Sequence, residues 1–288
     1  MINATDQLAN LLETEQIDRL LFRGTTPPEN ELPRVFGGQV LAQSLNSAIR
    51  TVPEDRFMHS LHAYFLRPGD ITRPIIFEVD PIRDGGSFTT RRVVAKQDGK
   101  AIFNTSISFK RPEKGLEHQI GIDNIPAPES LQDDSERVKA HMASNPEYKK
   151  PPIADAFQTF EFRTNGDLPS LRDASAKPVQ GFWFKAKNPL QQSFPMHQAF
   201  LAYVSDFRLL STAMIPHNLR FNNPKLQVAS LDHSVWVHGE FSVNEWIYYH
   251  MEGPVSSSGC GLNFGRFYTE DGRLVASTSQ EGLMRVRD

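Results

Sequence analysis

The stretch Lys96-Gln97-Asp98-Gly99-Lys100-Ala101-Ile102 returns later in the chain as Thr269-Glu270-Asp271-Gly272-Arg273-Leu274-Val275. In each, Asp-Gly stands between two strand-like runs, and glycine accepts the positive φ that a tight hairpin turn needs. Working outward from the first copy, strands are predicted over 58–65, 74–82, 87–97 and 101–109. They follow a helix over 39–50, in which Leu41, Leu45, Ala48 and Ile49 recur at helical spacing. Around the second copy the order repeats, with a helix over 196–210 and strands over 227–238, 245–252, 259–269 and 273–284. Ser60-Leu61-His62 likewise answers Ser230-Leu231-Asp232. The two correspondences are offset by 173 (98 to 271) and 170 (60 to 230), close enough to belong to one duplicated unit. A helix followed by antiparallel strands is an α+β layer, with the helix laid across the sheet. Two such units with matching edges would pair into one longer sheet.

Between the copies the composition shifts. Residues 111–156 lose the strand pattern and collect Pro112, Pro126, Pro128, Pro146, Pro151 and Pro152, with clustered charge at Gln132-Asp133-Asp134-Ser135-Glu136-Arg137. Proline removes backbone donors and fixes φ, so this segment reads as a connection holding one short helix, 135–142. The expected division is therefore 1–110, 111–156 and 157–288, with an opening helix over 5–21.

The 288 residues carry 31 Lys and Arg against 34 Asp and Glu, a net charge of −3, with 39% hydrophobic residues. That composition excludes disorder as the main state and gives no basic field for nucleic acid. The single cysteine, Cys260, excludes an internal disulfide framework and a multi-cysteine zinc site. No run approaches the ~20 apolar residues of a membrane span. The acidic start lacks the pattern of a secretory signal, and the ending Arg285-Val286-Arg287-Asp288 lacks a Ser-Lys-Leu address. A cytoplasmic protein is expected.

Asp206 is the most informative residue. Met196, Ala199, Phe200, Tyr203, Val204 and Phe207 form an apolar stripe, and Leu201, Ala202, Leu209 and Leu210 extend it around the helix. A helix apolar nearly all round is buried, and an acid inside it is costly unless paired or functional. Alternation over 227–237 would set Val228, Ser230, Asp232 and Ser234 on one face, and Gln280 sits in the polar run Ser277-Thr278-Ser279-Gln280-Glu281. Taken alone, each reads as an ordinary polar strand residue. The same alternation turns His233 away from Asp232 and Ser234, which argues against a Ser-His-Asp triad, and no Gly-x-Ser-x-Gly elbow occurs. His59 and His62, three apart on a strand, would face opposite sides and so could not chelate one ion; His233 and His238 share that problem. No metal is expected, and His59 stays a minor candidate because it titrates near neutrality. Gly37-Gly38 lacks a phosphate-loop pattern; it suits close packing at a helix start, an end that also attracts anions.

Several stretches resemble the acyl-CoA thioesterase II family: Val35-Phe36-Gly37-Gly38-Gln39-Val40, His59-Ser60-Leu61-His62-Ala63-Tyr64-Phe65-Leu66-Arg67-Pro68-Gly69-Asp70, Arg83-Asp84-Gly85-Gly86-Ser87-Phe88, Asp232-His233-Ser234-Val235-Trp236 and Ala276-Ser277-Thr278-Ser279-Gln280-Glu281-Gly282. The resemblance implies two fused hotdog units, each a long helix wrapped by an antiparallel sheet. It implies hydrolysis of fatty acyl-CoA to free acid and coenzyme A without cofactor, and a triad carried over onto Asp206, Ser230 and Gln280. Ser230 departs from the commoner threonine but keeps the hydroxyl. In that mechanism Asp206 takes a proton from water held by Ser230 and Gln280, and a backbone amide at a helix start holds the oxyanion. Ile107 aligns with Gln280 in the Asp-Gly register, so one active site per chain is expected. Substrate contacts are assigned to His59, Gly37, Gly38, Arg67 and Arg91, with Arg92 beside them, and association into a homo-oligomer is expected. A hotdog enoyl-CoA hydratase, needing an Asp and His pair, and a non-catalytic acyl-CoA-binding module are the alternatives.

Overall fold

The first helix, α1 (Ala4–Leu12), is capped by Asn3, whose side chain accepts from the Asp6 amide. It ends well short of residue 21. The structure, a computed structural model, describes residues 2–26, 33–145, 147–148, 156–169, 171–172, 174–221 and 223–287. Pro146, Pro151 and Pro152 of the expected connection lie outside the described residues, as does Asp288. After α1 come two short strands, β1 (Glu15–Asp18) and β2 (Leu21–Gly24). The first half continues with α2 (Gly37–Ile49), β3 (Phe57–Phe65), β4 (Ile75–Asp84), β5 (Phe88–Gln97) and β6 (Lys100–Lys110). β1 pairs with β2 and β2 with β4, so residues 15–18 and Leu21 of the expected helix belong to the sheet instead. The connection holds α3 (Asp134–Ser144), started by Asp133, whose carboxylate accepts from the Ser135 and Glu136 amides.

The second half contains α4 (Ala156–Thr159), β7 (Phe160–Asn165), β8 (Val179–Ala186), α5 (Phe194–Ser205), α6 (Leu209–Thr212), β9 (Leu226–Ser230), β10 (Asp232–Val237), β11 (Ile247–Ser257), β12 (Cys260–Thr269) and β13 (Leu274–Val286). β7 and β8 were not predicted. Their phenylalanines, Phe160, Phe162, Phe182 and Phe184, are fully buried, but proline-rich and polar residues separate the two strands and mask the pattern.

The sheet order is β1-β2-β4-β5-β6-β3-β10-β13-β12-β11-β8-β7, with β9 beside β13. Read from either end it has the same sense, because β3 and β10 meet antiparallel at the centre. His62 lies opposite Ser234, Ser60 opposite Trp236 and Tyr64 opposite Asp232, so a pseudo-two-fold passes through the His62–Ser234 pair. Both Asp-Gly turns form: Asp98 and Gly99 take φ of 48° and 71°, and Gly272 takes 83°. On the inner face α2 packs directly against α5. Buried side chains from both halves, such as Leu41, Leu45 and Phe103 with Phe184, Phe200 and Phe267, form one continuous core.

One irregularity occurs in both halves. Met58 faces Phe109 but Ser60 faces Ser108, so β3 carries one extra residue. Ser230 faces Gly282 while Ser234 faces Ser279, the same excess, placed where β9 gives way to β10. A one-residue bulge shifts every later side chain to the other face. Two expectations from strict alternation therefore fail. Ser230 shares the inner face with His233, not with Asp232 and Ser234, which lie beside exposed Tyr64 and His62. His59 and His62 both lie on the outer face, bonded to Ser108 and Ser234 respectively, instead of on opposite sides. His238 bonds to Ser277 on that outer face, opposite in direction to buried His233.

The expected helix over 196–210 is also broken. α5 ends at Ser205, Asp206 is its C-cap, and Arg208 adopts a left-handed φ of 64° before α6 begins. The Arg208 guanidinium explains the break. It donates to Thr164 Oγ1 at 2.6 Å and to the fully buried Asp134 carboxylate of α3 at 3.0 Å, over the face of Phe182. The connection thus fixes the turn that follows Asp206.

Candidate active site

α5 is buried along most of its length, so its C-cap delivers Asp206 into the interior beside the start of α2. Approach this close requires glycine. A Cβ on Gly38 would fall 2.4 Å from the Tyr203 carbonyl oxygen, and one on Gly37 would fall 2.7 Å from Asp206 Oδ2. The Gly38 amide donates to Asp206 Oδ2 at 3.0 Å. The anion attracted by this helix start is therefore the chain's own carboxylate.

The other carboxylate oxygen, Oδ1, accepts from Gln280 Nε2 at 2.7 Å. The same Nε2 lies 3.2 Å from Ser230 Oγ and 3.1 Å from His233 Nδ1. Gln280 reaches inward from β13 and Ser230 from the last position of β9, where the bulge turns it toward α5. Gln280 and His233 are fully buried, whereas Asp206 keeps a small exposed edge while lying deep among protein atoms. Burial pushes the Asp206 carboxyl up from 3.8 to about 6; the bonds from Gln280 and the Gly38 amide, and the charge of Arg34, oppose that rise. Burial alone pushes the His233 imidazole down to about 3, so it is neutral.

Of the residues singled out in the sequence, Asp206, Ser230, Gln280, Gly37 and Gly38 come together. The rest have other surroundings. His59 is on the outer face, bonded to Ser108 and edge-on to Phe88. Arg67 is exposed and donates to the Ala101 carbonyl. Arg91 is buried, and its guanidinium serves Thr51 and Asp84 beyond the end of α2, about 20 Å along the helix from Gly38. Arg92 pairs with Asp80 in solvent. Sequence reasoning missed His233, because alternation turned it outward and the bulge gives no signal in the residue pattern. It also missed Arg34, whose charge acts on Asp206 and whose guanidinium donates to the Val228 carbonyl of β9.

Among the described residues no group of three or more His, Cys, Asp or Glu side chains is arranged to hold a metal ion. No described helix is long and apolar enough to cross a membrane. The arrangement is a carboxylate that ionises near pH 6, held by one backbone and one side-chain donor, with a hydroxyl beside it. Such a group suits proton transfer to or from water at neutral pH.

The sequence matches the profile described as acyl-CoA thioesterase over residues 153–283 and that of the acyl-CoA thioesterase N-terminal domain over 26–110. It is 38% identical to acyl-CoA thioesterase 2 of Haemophilus influenzae over 100% of both chains. It is 33% identical to acyl-coenzyme A thioesterase 8 of Homo sapiens over 97% of this chain and 89% of that one. Among solved structures, an acyl-CoA thioesterase II from Mycobacterium marinum superposes with a TM-score of 0.80 at 36% identity, covering 98% of this chain and 99% of that one. With the duplicated sheet, the paired helices and this degree of likeness along the whole length, the chain belongs to the acyl-CoA thioesterase II family and has its double hotdog fold.

Proposed function

We propose that this enzyme hydrolyses fatty acyl-CoA thioesters to the free acid and coenzyme A by direct attack of water, with Asp206, Ser230 and Gln280 as the catalytic residues. The observation that carries the reading is the Asp206 carboxylate, raised to about 6 and bonded at once to Gln280 and to the start of α2. Above that pH it is ionised and accepts a proton from water as the water oxygen bonds to the thioester carbonyl carbon. Gln280 Oε1 is buried without a partner among the described residues, so it supports a role as acceptor for the other water hydrogen. Ser230 Oγ, 3.2 Å from Gln280 Nε2, keeps that water in line. The Gly38 amide is committed to Asp206, so the first amide of α2, at Gly37, is assigned to the oxyanion. Collapse of the intermediate breaks the C–S bond, and the thiolate leaves to take up the proton.

The hydratase alternative needs a histidine able to exchange protons near the carbonyl. His233 is neutral with both ring nitrogens engaged, His59 is on the outer face, and the Nδ1 of buried His197 accepts from the Val243 amide. We also propose the division 1–110, 111–156 and 157–288, a homo-oligomer in solution and a cytoplasmic location. Light scattering of the purified chain tests the oligomer.

The decisive experiment is thiol release from a chain-length series of saturated acyl-CoAs by the parent and by Asp206→Ala. The expected result is a loss of ~10²–10⁴ in turnover with the fold retained, and a parent kcat/KM that rises with pH through about 6. Parent-like turnover in the variant would remove Asp206 from the mechanism. Acyl-CoA binding by the parent with no thiol released would favour the binding module.

A further inference from the structure

Gln280 can serve Asp206 only if its amide nitrogen faces the carboxylate, and the distances around that nitrogen show what holds it there. An amide oxygen 2.7 Å from Asp206 Oδ1 would repel it, yet rotation of the amide is opposed by a second group, His233, whose Nδ1 lies 3.1 Å from the same nitrogen. The other ring nitrogen, Nε2, lies 2.8 Å from Ser205 Oγ. That hydroxyl donates to the Ala202 carbonyl at 2.7 Å, so it meets the imidazole as an acceptor. Every direction in the chain is then determined. Ser205 donates to Ala202, His233 Nε2–H donates to Ser205, and Nδ1 is left with a lone pair that accepts from Gln280. Ser205 also sits under Tyr249, whose hydroxyl donates to the Ser205 carbonyl at 2.8 Å.

We infer that His233 is a positioning residue for the thioesterase reaction: its tautomer, locked by Ser205, holds the Gln280 amide with nitrogen toward Asp206 and oxygen away from it. The inference rests on the role given to Asp206 and Gln280 above. The two hydrogens of Nε2 are taken by Asp206 and His233, which leaves the Ser230 hydroxyl to direct its own hydrogen toward the reacting groups. The buried, neutral imidazole suits this task because it changes neither charge nor tautomer across the working pH range. The matching position in the other half of the sheet, where no carboxylate is presented, is Leu61.

Three variants test this: His233→Leu removes the acceptor, His233→Asn places an amide oxygen where Nδ1 stands, and Ser205→Ala releases the tautomer. Parent and Asp206→Ala are run alongside with one acyl-CoA. For His233→Leu, kcat should fall about 10- to 100-fold with KM little changed, as expected for a reacting group slightly misplaced. The acid limb of its kcat/KM profile should move above about 6, because Asp206 loses a well-aimed donor. The other charged and titratable groups facing Asp206 are the Arg34 guanidinium and Tyr249, whose hydroxyl burial pushes above its usual value. His233→Asn should recover most of kcat and the parent limb, and Ser205→Ala should fall between the two. Equal losses in folded Leu and Asn variants, or a Leu variant with parent kcat and an unmoved limb, would overturn the inference. An inactive parent, or an active Asp206→Ala, would instead overturn the reading on which it rests.

Discussion

Met58, Leu61 and Ile107 occupy, in the first half of the sheet, the positions that Ser230, His233 and Gln280 occupy in the second. The register shows it: Met58 faces Phe109 and Leu61 faces Ile107, while Ser230 faces Gly282 and His233 lies one step from the Ser234–Ser279 pair. The first three are buried at 1%, 0% and 0% exposure, so one set of inner positions is apolar and the other is polar and internally bonded. The helix ends differ in the same direction. α2 ends on Arg50, a cation where the helix dipole favours one; α5 ends on Asp206, an anion where the dipole opposes it. One half has the side chains that stability prefers, and the other accepts unfavourable burial of charge, as the role proposed for Asp206 requires.

The comparison can be broken most severely at Gln280. Gln280→Ile, which copies Ile107, should leave the sheet intact and lower turnover ~10²–10³-fold, the usual range for losing a placed donor. Thiol release and a thermal melt on the same sample check it. A folded, active variant would mean the polar set is incidental.

Asp206 sharpens the contrast through stability. A carboxyl raised from 3.8 to about 6 favours the folded state below pH 3.8, and that contribution is lost as pH rises through 6. Asp206→Asn does not titrate, so the variant should gain on the parent with rising pH, by roughly 2 kcal/mol between pH 4 and 8. Urea unfolding at the two pH values measures it, and a constant difference would refute the buried-base account. The smallest effect is expected at Ser230→Thr, which keeps the hydroxyl; turnover within about threefold of the parent is anticipated, since a tolerated methyl changes little. A dead but folded variant would show that the space around this hydroxyl is tighter than the geometry indicates.

Much of this was legible in the residues. Asp98-Gly99 and Asp271-Gly272 announced the repeat, and the 173-residue offset between them also relates Ile107 to Gln280 and Phe109 to Gly282 in the strand pairings, whereas the match of Ser60 to Ser230 fails because the sheet sets Met58 at the place of Ser230. Asp206 stood out because an acid within an apolar helix is physically conspicuous. Ser230 and Gln280 did not; nothing in a strand pattern separates them from ordinary polar strand residues, and only the family resemblance marked them as candidates. His233 was lost to the bulge, which is a property of the backbone path and not of residue type. Glu15–Asp18 and Leu21 of the expected opening helix are instead in β1 and β2, whose pairing with each other and with β4 outweighs local helical spacing. Arg67 and Arg91 were chosen by charge alone, and a buried arginine such as Arg91 is as often a strut as a binding group.

The paired bulges have a bearing on engineering. Shaping a backbone to aim side chains is the hard step in building an active site, and here that step has been taken twice within one chain, at Met58–Ser60 and again between Ser230 and Ser234. A designer seeking a second catalytic centre in the first half would need no new loop or strand register. The task reduces to recolouring a few inward positions and one helix end on a scaffold that already carries the required kink.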